Sequence, residues 1–283
     1  MTIKEIDEAL EEGNSLKSIA QAYSEIANIK IKKIRGEVVR NRQFFEEISF
    51  VYGLIKVLAD KKKISAQKNK KTISLILTSN FRFYGNINAD LIDFFIATIS
   101  KLDTDILLVN KAAIDYFKAQ ASLHLGGIKA YLPGELNTVM LKSDMPNPLE
   151  LQNLVNIVKD YNQVLIFYSK LKSLLIQTPQ VLDLSSAQTQ AQKSNQMDFK
   201  FIFEPELPKI LAFFDNQIIT LILEEAFLES EASRTASRFI SMDQAETDAN
   251  KFIKEYTILR ANAKKIMDNN KILENYATMI AVK

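Results

Sequence analysis

Toward the C-terminal end of the chain, apolar residues recur at Ala245, Ala249, Phe252, Tyr256, Leu259, Ala263, Ile266, Leu273, Ala277 and Ile280. The steps alternate between four and three, with Asn270 in one stripe position. That is a heptad seam, the pattern of a supercoiled helix pair. The steps become three and three near Phe239 and Met242, so a local disturbance of the supercoil is expected there. Near the other end, Leu16, Ile19, Tyr23, Ile26, Ile31, Ile34 and Val38 form a second stripe. The two stripes are expected to pair antiparallel, residues 16–38 against residues 239–263.

The middle of the chain has a different rhythm. Residues 72–79 (TISLILTS), 105–109 (DILLV) and 163–168 (QVLIFY) are short apolar runs rich in β-branched residues, and helix-like stretches at 88–102 and 149–161 lie between them. Strands alternating with helices predict a parallel α/β sheet. Residues 136–141 and 199–203 are candidates for further strands, the second after a polar loop.

The breakers agree with this division. All six prolines lie between Pro133 and Pro208, no glycine follows Gly134, and residues 1–60 contain no proline. Proline costs about 3 kcal/mol inside a helix and glycine about 1, so both ends can form long helices. A helix of 75 residues would be about 110 Å long and is expected to project from the body or run through a partner. The expected organisation is a coiled-coil helix over 1–60, an α/β domain over 72–205 and a second coiled-coil helix over 206–283. In fold class this is a long antiparallel coiled coil of the two terminal helices with an inserted Rossmann-like α/β domain.

Composition removes several chemistries. The chain has 283 residues, 47% apolar and 25% charged, with a net charge of +2. That balance does not suit a nucleic-acid partner, which calls for a strongly basic face. There is no cysteine and one histidine, His124, which excludes thiolate metal sites, cysteine nucleophiles and a histidine zinc site. His124 reads as a turn residue. The phosphate-cradling glycine loops are absent, and no cofactor is expected. The acidic start reads as neither a signal peptide nor a transit peptide, and no apolar run is long enough to span a membrane. The lysine-rich stretch 61–71 reads as a solvated linker. Glu11, Glu12, Glu224 and Glu225 read as solvated helix faces.

The order and spacing of several segments resemble the gamma subunit of F-type ATP synthases. Ile3, Lys4, Glu5 and Ile6 open the chain as that family does, and Ile19, Ala22, Ala27 and Lys30 match in the following helix. Ser79, Gly85 and Asn88 match the turn after the family's first strand. Residues 161–179 resemble its later strand and continuation, and Phe203, Glu204 and Pro205 resemble its YEP. In the last helix Ser230, Ala232, Ser233, Arg238, Met242, Asp243, Ala245 and Ala249 match without a gap.

The resemblance implies a non-catalytic rotor whose coiled coil turns inside a ring of three α and three β subunits. Catalysis would belong to the β subunits. It implies contacts to β-subunit loops at Lys264, Lys265, Asn269, Lys271, Tyr23 and Lys30. It also implies a foot, including Phe203 and Glu204, that meets the epsilon subunit and the membrane c-ring. The protein would lie at the cytoplasmic face of a bacterial plasma membrane, peripherally and without inserting.

The chain departs from the family at the C-terminal contact, where Arg-Gln has become Lys264 and Lys265, and Thr and Glu have become Asn269 and Lys271. Lysine lacks the bidentate fork of arginine. Basic positions near the N-terminus read Asp7, Glu8, Glu11 and Glu12 here. These departures leave three alternatives open: a rotor in a hydrolysis-only ATPase, a structural coiled coil, and an α/β enzyme with a site around residues 79–88.

Overall fold

The computed structural model describes residues 2–61, 69–123, 136–184 and 205–281. His124, residues 62–68 of the lysine-rich stretch, the expected strand at 199–203 and the foot residues Phe203 and Glu204 lie outside them. The elements are α1 (Ile3–Lys61), β1 (Asn69–Leu77), α2 (Ile87–Ile99), β2 (Asp105–Val109), α3 (Lys111–Leu123), β3 (Leu136–Val139), α4 (Pro148–Val158), β4 (Tyr161–Leu171), β5 (Gln177–Asp183) and α5 (Leu207–Ala281). Two long terminal helices thus flank a Rossmann-like α/β insert, as the sequence pattern predicts.

The chain forms two compact units: Met1–Ile29 with Arg238–Lys283, and Lys30–Ser237. The larger unit contains a five-stranded sheet in the order β3-β2-β1-β4-β5. The first four strands are parallel to their neighbours, and β5 pairs antiparallel with β4. β2 is buried along its whole length, as a strand covered on both faces must be. On one face, Leu75, Leu77, Val109 and Ile166 pack with Val155 and Val158 of α4, Tyr52 and Ile55 of α1, and Ile222 and Phe227 of α5. On the other, Ile76, Leu108 and Phe167 pack with Phe95 of α2 and Phe117 of α3. The rings of Phe95 and Phe167 meet edge to face at 4.9 Å, a favoured aromatic geometry.

Two elements depart from the expectation. Residues 177–183 continue β4 only in sequence: the chain turns and comes back as β5. Pro179 is tolerated there because an edge strand needs no full ladder of donors. α3 supplies a helix between β2 and β3 where none was read. α4 starts on a full capping box: Asn147 accepts from the Glu150 N–H, and Glu150 accepts from the Asn147 N–H. Together these satisfy two otherwise orphaned donors.

In the smaller unit α1 and α5 run side by side. Pairs fall in reverse order along the two helices: Asp7 with Arg260 at 2.6 Å, Gly13 beside Phe252 and Ile253, Gln21 with Glu246 at 2.7 Å, and Tyr23 with Arg238. The pairing is antiparallel.

Candidate functional site

The α1 seam in the smaller unit is Ile3, Ile6, Leu10, Gly13, Lys17, Ala20, Ser24 and Ala27, each buried or half-buried. The steps alternate three and four without a break, a strict heptad. Half of the stripe read from the sequence lies elsewhere. Leu16 is 62% exposed, and Ile19, Tyr23 and Ile26 also face outward. Ile31 and Ile34, in the larger unit, are buried.

The α5 seam in this unit is Met242, Glu246, Ala249, Ile253, Tyr256 and Ala263, with Phe252 half-buried beside them. The expected seam is therefore half right. Ala249, Phe252, Tyr256 and Ala263 face α1, but Ala245 is exposed, Leu259 is 46% exposed and Ile266 is 61% exposed. Glu246 and Arg260 reach across to Gln21 and Asp7 instead. Leu273, Ala277 and Ile280 are exposed as well.

The helix pair therefore carries apolar residues on its outside. Leu16, Ile19, Ile26 and Ile29 on α1 and Ile258 and Leu259 on α5 are exposed on the pair, and Ile272, Leu273, Tyr276 and Ile280 are exposed where α5 continues past the start of α1. An exposed apolar surface of this extent marks an interaction site. Lys264, Lys265, Asn269 and Lys271 are exposed on this same part of α5. Lys271 borders a shallow groove with Thr2, Ile3 and Ile266. The Tyr23 ring lies 5.8 Å from the Arg238 guanidinium carbon, within cation–π range.

Lys30 belongs to the larger unit, and its ammonium pairs with Glu231 of α5. Here α5 is buried around its circumference from Ala226 to Ser237, yet Glu229, Ser230, Glu231, Ser233, Arg234, Thr235 and Ser237 are polar. Glu231 and Arg234 are each 1% exposed. Arg234 Nη2 donates to Glu231 Oε2 at 3.0 Å, and Nη1 to Ser230 Oγ at 2.8 Å. The guanidinium also makes long contacts to the Thr78 carbonyl, 3.5 Å, and the Asp144 carbonyl, 3.4 Å. Burial pushes the Glu231 carboxyl up, but the charges of Arg234 and Lys30 outweigh it and hold the group below its ordinary value. Nearby, Arg42 of α1 binds both Glu225 and Glu229.

Glu225 is therefore paired and not simply solvated. Glu224 is half-buried as well. Burial and the charge of Glu37 raise its carboxyl, against a hydrogen bond from Asn41. Sequence reasoning missed this collar because its charges sit on a helix that reads as amphipathic, and their partners are far away in the chain.

The collar meets the C-terminal ends of the strands. Asn110, at φ 72°, donates to the Thr78 carbonyl and accepts from the Leu141 N–H. Asp144 accepts from the Asn80 N–H and the Tyr84 hydroxyl, each at 2.6 Å. Ser237 donates to the Tyr84 carbonyl at 2.7 Å. The residue 79–88 turn is held by these bonds. Among the described residues, no group of three or more His, Cys, Asp or Glu side chains could hold a metal ion, and no helix is long and apolar enough to cross a membrane.

A family model described as ATP synthase matches residues 2–267. The ATP synthase gamma chain of Ruthia magnifica is 21% identical over a 299-position alignment covering 99% of each chain. That of Staphylococcus saprophyticus is 22% identical, again over 99% of each. Among solved structures, a chain of the Euglena gracilis mitochondrial ATP synthase (OSCP, F1 and c-ring) has a TM-score of 0.62 at 16% identity, covering 99% of this chain and 95% of that one. A chain of the Tetrahymena thermophila mitochondrial ATP synthase central stalk and c-ring has a TM-score of 0.55 at 20% identity, covering 80% and 99%. At these identities the structural likeness speaks for the fold.

Proposed function

The chain belongs to the ATP synthase family, and from that premise we propose how it works as the gamma subunit, the rotor of the central stalk. The observation that carries the reading is the double-faced helix pair. Small residues, Gly13, Ala20, Ala27 and Ala249, alternate in its seam with larger ones such as Ile6, Leu10 and Ile253, while further leucines and isoleucines lie on its outside. A helix pair that were its own end product would put those residues inside. An apolar exterior suits a shaft enclosed by other chains.

The enclosing chains are a ring of α and β subunits, with catalysis on the β subunits and none on this chain. A shaft without three-fold symmetry gives three otherwise equivalent sites different surroundings. As it turns, each site passes through those states in order, which is allosteric coupling through differential contacts. Lys264, Lys265, Asn269 and Lys271, with Tyr23, contact β-subunit loops. Lys30 is already paired with Glu231, so its role is to hold the shaft, with a β contact secondary. The α/β domain, with Phe203 and Glu204, forms the foot toward the epsilon subunit and the c-ring. The complex lies on the cytoplasmic face of the membrane, and this subunit is peripheral. The hydrolysis-only alternative is not favoured, since the relatives named above are ATP synthase gamma chains.

Co-expression with the α and β subunits of the same genome tests this. The expected outcome is one stable complex with ATPase activity and no turnover by the purified chain alone. Replacing Ile19 and Ile26 with Gln is expected to leave the isolated chain folded, because both face outward, and to reduce assembly. Undiminished assembly of that variant would show that the outward apolar face is not the ring contact.

A further inference from the structure

In doubly wound sheets ligands bind outside the carboxyl ends of the strands, where the strand order reverses. In this sheet the reversal lies between β1 and β4. Here the chain fills that place itself. α5 crosses the end of β1, and the Arg234 guanidinium sits at the Thr78 carbonyl, one residue beyond the strand.

A helix segment buried on every side is normally apolar, because buried polar groups cost free energy unless they are satisfied. This one carries a carboxylate and a guanidinium, each 1% exposed. Apolar residues of similar size would often make the fold as stable or more so. What the charges add is direction. Apolar packing is non-directional, so it opposes the turning of a helix only through the repacking of its side chains. Directional bonds add to that: the short bonds of Arg234, to Glu231 and Ser230, lie within α5 and hold the guanidinium in place, its two long contacts reach the strand ends, and Ser237 donates to the Tyr84 carbonyl at 2.7 Å.

We propose that Arg234 is a positioning residue for rotation, fixing the azimuth of the shaft helix against the α/β domain so that torque passes between them without slip. Glu231 is its hub. One carboxylate takes the Lys30 ammonium from α1 through one oxygen and the Arg234 guanidinium through the other. Arg234 carries the link onward to the Thr78 and Asp144 carbonyls, and Asp144 is itself tied to Asn80 and Tyr84. Both shaft helices are thereby tied to the same strand ends, α1 through Lys30 and Glu231, and α5 through the long contacts of Arg234 and the shorter bond of Ser237 to Tyr84. This inference rests on the rotor reading above.

The test uses the whole ATP synthase containing this chain, reconstituted in lipid vesicles. ATP-driven membrane potential is read with a voltage-sensitive dye, and ATP hydrolysis is measured with an ionophore that collapses the potential. The variants are the pair Glu231→Met with Arg234→Met, and Arg234→Lys alone. The paired variant is expected to hydrolyse ATP within about twofold of wild type, while potential generated per ATP falls about threefold or more. Arg234→Lys keeps the charge but loses the fork, and is expected to fall between them. A merely structural role would lower assembly and hydrolysis together and leave their ratio to potential unchanged. A wild-type ratio in the assembled paired variant overturns the proposal. If that variant does not assemble, Arg234→Lys decides: a lowered ratio supports the proposal and a wild-type ratio overturns it. A wild-type complex that generates no potential would instead overturn the rotor reading.

Discussion

Two glycines of α1 show how local surroundings set the sign of one substitution. A Cβ on Gly13 would lie 3.0 Å from Phe252 Cδ1 and 3.1 Å from Ile253 Cγ1. Phe252 has little room to yield because it stacks on Tyr256 at 4.2 Å. Gly13→Leu is therefore expected to destabilise the helix pair by about 1–3 kcal/mol, the usual cost of overpacking. At Gly36 the nearest atom is the tip of Arg40, 3.7 Å away, so Gly36→Ala gains helix propensity of about 1 kcal/mol with no clash. Thermal melts of the two variants should move in opposite directions. Glu231 makes a pH-dependent case. Its carboxyl is held below the ordinary value, so its pairing contributes fully above the unfolded-state range and is lost as pH falls through the lowered folded value. Glu231→Gln leaves Arg234 buried without its counter-charge and is expected to cost about 3–5 kcal/mol at neutral pH. The gap to wild type should begin to narrow as pH falls below the unfolded-state range, about 4.3, and close only as pH falls through the lowered folded value, where the wild-type carboxyl itself becomes neutral. Denaturant melts across that range check both the size and the trend.

At the scale of elements, periodicity identified the long helices but misassigned part of their faces. On α1 the seam contains Gly13, Lys17, Ala20 and Ser24, residues that no hydrophobicity pattern selects, while Leu16, Ile19 and Ile26 face away from α5. A helix that must satisfy one partner inside and another outside carries two stripes, and the larger residues dominate the reading. On α5 the phase was legible at Ala249, Tyr256 and Ala263, and lost at Glu246 and Arg260, whose polar ends pair across the seam. The parallel strands were legible because burial on both faces makes them continuously apolar. β5 was not, since an edge strand with Pro179 carries no such signal. Gln21 and Glu246 give the pairing a direct test. Because the chain has no cysteine, a Gln21→Cys, Glu246→Cys variant is expected to join through a short bismaleimide. The outward-facing pair Leu16→Cys, Leu259→Cys is not. Mass spectrometry of the digested chain distinguishes them, and the reverse result would contradict the antiparallel register.

For the whole molecule, the question is which parts of the shaft act on the ring and which only hold the shaft together. Lys264 and Lys265 flank Ala263 and Ile266 on α5, and both are exposed. Neither contributes to the seam, so replacing both with Ala should leave the melt of the isolated chain unchanged. In the assembled complex they would face carboxylates or backbone carbonyls of β-subunit loops. Charge-assisted hydrogen bonds to such groups contribute about 1.5–3 kcal/mol when shielded from water. Each 1.4 kcal/mol lost in the rate-limiting state changes turnover about tenfold. Lysine favours point-charge contact over a bidentate fork, so the effect should be strongly salt-dependent where the contact is exposed. The measurement is the ATPase rate of the α, β and gamma assembly, wild type against Lys264→Ala, Lys265→Ala, at low and moderate salt and at equal assembly. A rate change of about tenfold is expected for a shielded contact, and a smaller one that shrinks with salt for an exposed contact. Equal rates at both salt concentrations would show that this rotor has moved its working contact elsewhere, with the outward isoleucines and leucines of the same helix as the remaining means of engaging the ring.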